Sequence, residues 1–307
     1  MLSRDDVLAT TARIAPYVRR TRLVATRQPR LWLKCENEQR SGAFKARGAF
    51  AALTALSPAQ RARGVVTHSS GNHGRALAEA AAELGCLATV VVPDNAMAHK
   101  VSAIEAAGAR VIVVPVAERA ERAADLVASG LTFVPPFDHL DVMAGQGTVA
   151  LEIVHQAGAE GLDVAGVWAP VGGGGLLSGI AVALDGTGIE VTGVEPELAA
   201  DFANSVTQQR RVAWAVGDTA RTVADGLRLP SVGAAPWTHL HSRGVRAVTV
   251  SEAEILAAQT WLDDQGVSAE PSGAVSVAGA LRHLDDGRSG IEVAVVSGGN
   301  RAPVDQG

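Results

Sequence analysis

One lysine stands in a setting that suits covalent chemistry. In Ser41-Gly42-Ala43-Phe44-Lys45-Ala46-Arg47-Gly48-Ala49 it sits among small residues, at the start of an apolar, helix-prone segment from Ala46 to Leu56. Near a helix N-terminus the dipole opposes a positive charge, and burial in an apolar pocket lowers an ammonium pKa further. Both effects favour the neutral amine, which forms a Schiff base with a carbonyl. A solvated surface lysine is the ordinary alternative for any single Lys, so the case for Lys45 rests on its companions.

Three later stretches supply them. Val171-Gly172-Gly173-Gly174-Gly175-Leu176 follows an apolar strand-like run and opens a helix-like one. Its glycines leave backbone N–H groups unshielded and the helix adds its positive end, which makes a cradle for a phosphate. No Gly-Lys-Ser/Thr follows, so it is not a P-loop, and Gly179 comes too late for a dinucleotide fingerprint. A flexible linker is the bland alternative, and the apolar flanks argue against it. Thr67-His68-Ser69-Ser70-Gly71-Asn72-His73-Gly74 also lies between a strand and a helix. Its hydroxyls, amide and free N–H groups suit a carboxylate; Asn72 could equally be a plain N-cap, and His73 a general base or a core histidine. Val295-Val296-Ser297-Gly298-Gly299-Asn300 closes the last buried strand, the place where α/β proteins hold ligands. A simple turn is the alternative there.

The elements that must position these residues read as α/β layers. Short β-rich runs alternate with Ala-rich helical ones: strands at 31–35, 64–67, 87–92, 110–116, 131–134, 164–170, 190–194, 246–250 and 291–296, and helices at 3–17, 72–84, 97–107, 118–128, 147–156, 176–184, 251–264 and 272–284. The continuous apolar runs Ala88–Val92 and Val111–Val114 predict strands buried on both faces, hence parallel sheets. The turn-rich Pro135-Pro136-Phe137-Asp138 marks a boundary after a small middle domain. The division is a small domain at 56–141 and a large domain formed by 1–55 and 142–307. At 307 residues, 47% hydrophobic and 19% charged, the chain has a substantial core. Net charge is −5 with both signs dispersed, which argues against nucleic acid as a partner. No run reaches membrane-spanning length, and the N-terminus carries no signal-peptide core. Cys35 and Cys86 lack metal-ligand spacing and read as small buried hydrophobes, so a cytoplasmic location is expected.

With these stretches assembled, the sequence resembles the pyridoxal phosphate (PLP)-dependent threonine/serine dehydratases and related serine racemases, which are fold-type II PLP enzymes. S-G-A-F-K-A-R-G-A, S-S-G-N-H-G, G-Q-G-T, V-G-G-G-G-L, G-V-E-P, A-D-G-L, E-P-S-G-A and S-G-G-N fall in the family's order, from Leu33 to Asn300. The resemblance implies two parallel-type α/β domains with the cofactor in the cleft between them, and a homodimer. It implies that Lys45 holds PLP covalently and then acts as the base at Cα, with Phe44 packed beside the ring. Asn72 would bond the phenolic oxygen, Gly172, Gly173, Gly174 and Gly175 the phosphate, and Ser297 the pyridine nitrogen. A hydroxyl there does not fully protonate the ring, which favours elimination over transamination. Ser69, Ser70, Gly71, Asn72 and His73 would grip the substrate carboxylate. The residue matching Ser70 is a second acid/base in the racemases, so racemisation stays open.

A metal is also implied. Glu195-Pro196-Glu197-Leu198-Ala199-Ala200-Asp201 matches a pattern in which Glu195, Asp201 and the Ala199 carbonyl bind Mg²⁺, Ca²⁺ or Mn²⁺, an all-oxygen set suited to a hard cation. A solvated acidic loop is the alternative. The sequence departs from the family's commonest pattern at Ser41 and Ala43, where Thr and Ser are frequent. Phe137 replaces a polar residue of some racemases and leans towards dehydratase. Arg119 or Arg122 near the mouth would favour an acidic substrate such as a 3-hydroxyaspartate, although a helix-surface role is the simpler reading of both. No C-terminal regulatory domain is expected, hence no feedback of the isoleucine-inhibited kind. The expected reaction is β-elimination from a small L-β-hydroxy amino acid to a 2-oxo acid and ammonia. An amino-acid racemase using Lys45 and Ser70 on opposite faces is the enzymatic alternative, and a non-catalytic binder of PLP or a phosphometabolite the remote one.

Overall fold

The computed structural model describes residues 1–284 and 289–301. The helices between the apolar strands supply the long connections that parallel neighbours need. The strands are β1 (Leu23–Ala25), β2 (Leu31–Lys34), β3 (Val65–Thr67), β4 (Ala88–Pro93), β5 (Arg110–Val114), β6 (Thr132–Phe133), β7 (Val164–Pro170), β8 (Glu190–Pro196), β9 (Arg246–Val250) and β10 (Ile291–Val295). Among the described residues they form a six-stranded sheet, β1-β2-β10-β7-β8-β9, and a four-stranded sheet, β5-β4-β3-β6. Every pairing is parallel except β1 with β2, which a short connection joins.

The six-stranded sheet is covered on both faces. Val167, Val171, Val293 and Val295 pack under Leu176, Leu177 and Ile180 of the helix Gly175–Ala183, together with Val149 and Ile153 of the helix Leu140–Ala159. Trp168, Leu33 and Val194 lie in a separate core with Ile255, Leu262 and Val275. The switch between Val167 and Trp168 is the two-residue period of a strand. Phe50, Leu77, Val90 and Ile104 fill the core beside the smaller sheet.

Glycines in the G-Q-G-T stretch bring the helices close. A Cβ at Gly147 would come within 2.5 Å of the Gly179 carbonyl, and one at Gly145 within 2.5 Å of the Arg47 carbonyl. The helix Leu140–Ala159 therefore runs against both the Lys45 helix and the helix after the glycine loop. Its glycines cost helix propensity, so the sequence places its start only at Gly147; tertiary packing carries it back to Leu140.

Two expectations need correction. β4 is buried at every residue, but β5 is not: it is an edge strand, and Val113 is 58% exposed. An apolar run alone does not distinguish a central strand from an edge strand with one uncovered face. The strand β1 and the helices Pro58–Arg63, Asp201–Gln208 and Ala234–Ser242 were also not anticipated. The first of these helices carries a readable signal, since Ser57 and Gln60 form a capping box.

Candidate active site

The loops that leave the C-terminal ends of β3, β7 and β10 carry the Ser69–His73, glycine and Ser297 stretches, the usual ligand-binding end of a parallel sheet. Lys45 reaches the same place from β2. It is the first residue of the helix Lys45–Ala55, with Phe44 as N-cap. The Phe44 N–H donates to the Ser297 carbonyl at 3.0 Å, and Ala43 bridges to Gly298. The segment carrying the lysine is thereby laced to the end of β10. Lys45 Nζ donates to the Pro136 carbonyl at 2.7 Å and lies 4.9 Å from the centre of the Phe44 ring. Burial lowers its pKa to about 8, moving it towards the neutral amine.

The glycine loop presents what a phosphate needs. Among the described residues the amides of Gly172, Gly173, Gly174 and Gly175 find no acceptor within the chain, although all four residues are buried. Buried N–H groups are rarely left unpaired. Gly174 has φ +82°, and a Cβ at Gly173 would overlap the Phe137 ring. Phe137 thus lies against the loop, and the next residue, Asp138, caps the amides of Ala234 and Ala235 at 2.9 Å each.

In the Ser-Ser-Gly-Asn-His loop, Ser69, Ser70, Gly71 and Asn72 are partly exposed, whereas His73 is buried. The His73 ring bonds the Val134 carbonyl through Nε2 at 3.0 Å. Burial, with the Lys45 charge adding to it, lowers its pKa to about 3. This is the core histidine of the two readings: its ring stays neutral, and its backbone N–H at the helix start is what it can offer a carboxylate. Asn72 Nδ2 donates to Glu270 at 2.6 Å, and its Oδ1 accepts from Asn300 at 2.8 Å. Ser297 is buried, with its hydroxyl 3.4 Å from the Ser272 carbonyl.

Residues 9–298 match the family described as pyridoxal-phosphate dependent enzyme. The chain belongs to this family. It is 36% identical to the L-threo-3-hydroxyaspartate ammonia-lyase of Saccharomyces cerevisiae, over 96% of this chain and 92% of that protein. It is also 36% identical to the serine racemase of Schizosaccharomyces pombe, over 96% and 93% respectively. A crystal structure of a threonine deaminase from T.th. superimposes with a TM-score of 0.91 at 38% identity, covering 98% of this chain and 99% of that one. The structure is accordingly a fold-type II one. Family membership implies pyridoxal phosphate, and the unpaired amides of the glycine loop together with the desolvated Lys45 amine fit it.

The acidic stretch differs from a solvated loop. Glu195 and Asp201 are both fully buried. Glu195 accepts from the amides of Phe202 at 3.1 Å and Ala203 at 2.8 Å, and Asp201 from Val232 at 2.7 Å. The second oxygen of Asp201 is buried without a partner. Burial raises both pKa values, Asp201 to about 7, and for Glu195 the neighbouring Asp201 adds to the rise. Such a pair needs a cation or a proton. Among the described residues no group of three or more His, Cys, Asp and Glu side chains could hold a metal, so any cation here would depend on backbone oxygens or water for its remaining ligands.

Several residues of the site escaped sequence reasoning. Beneath the Lys45 helix, Arg47 is fully buried and bonds Glu36 through two nitrogens at 2.7 Å each, and Glu152 at 2.7 and 2.9 Å. Lys34 joins the same Glu152 at 2.6 Å. E-P-S-G-A, which the sequence does place at the border of the pocket, contributes Glu270; burial pushes its carboxyl up to about 7. Lys100 pairs with Asp225 across the gap between the element following β4 and the A-D-G-L turn. Of the two arginines considered at the mouth, Arg122 pairs with Asp125 on its own helix. Arg119 lies near enough to His68 to help burial lower that ring's pKa.

Proposed function

We propose that this chain is a PLP-dependent ammonia-lyase of the threonine/serine dehydratase kind, eliminating the hydroxyl of a small L-β-hydroxy amino acid. The observation that carries this reading is the amine of Lys45, desolvated and donating to the Pro136 carbonyl, on a helix start tied through the Phe44 N–H to the Ser297 carbonyl. It lies in a family whose relatives include ammonia-lyases over nearly their whole length. When bound, PLP supplies an electron-withdrawing ring that makes loss of the Cα proton feasible.

The protein's part is binding, orientation and proton movement. Lys45 would hold the cofactor, and its amine would take the Cα proton. The Gly172–Gly175 amides would hold its phosphate. Asn72 and Ser297 would hold the ring's polar atoms, with Phe44 packed beside it. The N–H groups of Gly71, Asn72 and His73, with Ser69 and Ser70, receive the substrate carboxylate. Phe137 closes the site against water at the glycine loop. Replacing Lys45 with Ala is expected to abolish covalent cofactor binding and nearly all turnover; unchanged turnover would contradict the reading.

Arg119 favours a second reading of the substrate. Its Nε donates to the Val116 carbonyl at its own helix start, and its charge is within electrostatic reach of His68, which precedes Ser69 and Ser70; a cation there suits the distal carboxylate of a 3-hydroxyaspartate. An Arg119→Ala variant that loses activity on L-threo-3-hydroxyaspartate but keeps it on L-threonine would support that reading. Racemisation through Ser70 is the other alternative, and relatives named serine racemase support keeping it.

The proposal includes Mg²⁺, or Ca²⁺ or Mn²⁺, at Glu195, Asp201 and the Ala199 carbonyl, supported by the unpartnered buried oxygen of Asp201. It also includes the division at 56–141 and a cytoplasmic homodimer. No helix among the described residues is long and apolar enough to cross a membrane.

A further inference from the structure

An asparagine side chain has two ends of nearly equal size, one donating and one accepting, and only its neighbours decide which faces a ligand. At Asn72 the neighbours decide it through a chain of bonds with one direction. Arg75 can only donate, and it does so to Asn300 Oδ1 at 3.2 Å. That leaves Asn300 Nδ2 as the donor, to the Ser41 carbonyl at 2.7 Å and to Asn72 Oδ1 at 2.8 Å. Asn72 Nδ2 then must donate, and Glu270 accepts one of its hydrogens at 2.6 Å. The second hydrogen remains for a ligand.

Glu270 is well placed for this task. It is 7% exposed and precedes the helix Pro271–Arg282, with its own N–H bonded to the Gly298 carbonyl at 3.0 Å. A Cβ at Gly298 would collide with its carboxylate, so the glycine of S-G-G-N makes room for it.

We propose that Glu270 is a positioning residue that holds the Asn72 amide with its free N–H turned towards the cofactor. This rests on the reading above in which Asn72 meets the ring's phenolic oxygen. Glu270 acts through Asn72 and needs only an acceptor oxygen in this place. Asn72 with a flipped amide would set its own oxygen against the cofactor's, two acceptors without a proton between them.

The test is a double-mutant cycle on the full chain. PLP affinity is measured by equilibrium dialysis and the bound cofactor by its visible absorbance band, with circular dichroism confirming the fold. Glu270→Met is expected to weaken PLP binding roughly tenfold, the loss of one well-placed hydrogen bond, and to move the band. Glu270→Gln, which still offers an oxygen, is expected to stay near the wild type in both. Added to Asn72→Ala, Glu270→Met is expected to change nothing further, because its partner is gone. Glu270→Ala, which leaves room for water, is run in parallel so that misfolding of one variant does not decide the result. Multiplying effects in the double variant, or unchanged affinity and band in Glu270→Met and Glu270→Ala, would overturn the role of Glu270 while leaving that of Asn72 standing. An Asn72→Ala variant with unaltered affinity and band would remove the Asn72 reading and Glu270's role with it.

Discussion

Lys45 joins the local sequence to the chemistry proposed for it. Its amine lies in a desolvated place where no carboxylate among the described residues pairs with it, and burial takes its pKa to about 8. An unperturbed lysine titrates near pH 10.4. Between these two values the folded chain binds fewer protons at this site than the unfolded one, so stability gains from Lys45 as pH rises through that window. The same shift governs reactivity. Competitive labelling of the cofactor-free protein with acetic anhydride, read by mass spectrometry of the Lys45 peptide, is expected to rise with a midpoint near pH 8. A midpoint above pH 10 would mean an ordinary, solvated amine. Ser70 carries a second expectation. If the protein also racemises, Ser70→Ala keeps elimination and loses formation of the opposite enantiomer, as chiral chromatography would record; loss of both activities together would argue against a separate acid/base role. Lys45, the glycine loop and Ser297 were legible because each lies in a short stretch whose composition has few other uses. The place of Glu270 at the border of the pocket was legible in E-P-S-G-A, but its contact was not, because that is with Asn72, 198 residues away in sequence.

The helix that begins with Lys45 is held from below by charge and from the side by close contact. Arg47 and Glu36 are both fully buried, and Glu152 and Lys34 complete the cluster. Removing one member strands the others in a low-dielectric place. Arg47→Leu is therefore expected to cost about 3–5 kcal/mol in urea unfolding, the usual cost of breaking a buried pair from one side. Arg22→Ala, which removes an exposed pair with Glu38, is expected to cost less than about 1 kcal/mol. Equal effects would mean that the buried cluster does not hold the helix. Gly147→Ala places a methyl against the Gly179 carbonyl and is expected to destabilise by about 1–3 kcal/mol, as overpacking does. Strand and helix existence was legible along most of the chain from periodicity and the alternation of apolar runs. The ends of the helix Leu140–Ala159 and the edge status of β5 were not, since both are decided by neighbours distant in sequence.

At the scale of the whole molecule, two sheets, parallel but for β1, bring the C-terminal ends of β3, β7 and β10 to one region. The chain passes between the sheets after the Lys45 helix and again near Pro136, whose carbonyl receives Lys45 Nζ. Because of these crossings the larger sheet draws strands from both ends of the chain, a grouping that strand order alone does not reveal. Of the buried pair, Glu195 lies near the end of β8 and Asp201 opens the helix Asp201–Gln208. A cation bound only by the folded state raises its stability by about 2.7 kcal/mol at a hundred times its dissociation constant. Added Mg²⁺, Ca²⁺ or Mn²⁺ is thus expected to raise the melting temperature of the wild type and leave that of Asp201→Asn unchanged. No rise with any of the three would leave a shared proton as the occupant of the pair.

The most direct test of the central claim is proton NMR of the protein with PLP and Mg²⁺ in deuterated water, given L-threonine, L-serine and L-threo-3-hydroxyaspartate in turn. The expected result is the growth of 2-oxo acid signals from at least one of them, with the fastest substrate identifying the pocket. Loss of the Cα proton signal without an oxo acid, or no change with any of the three, would contradict an ammonia-lyase acting on small β-hydroxy amino acids.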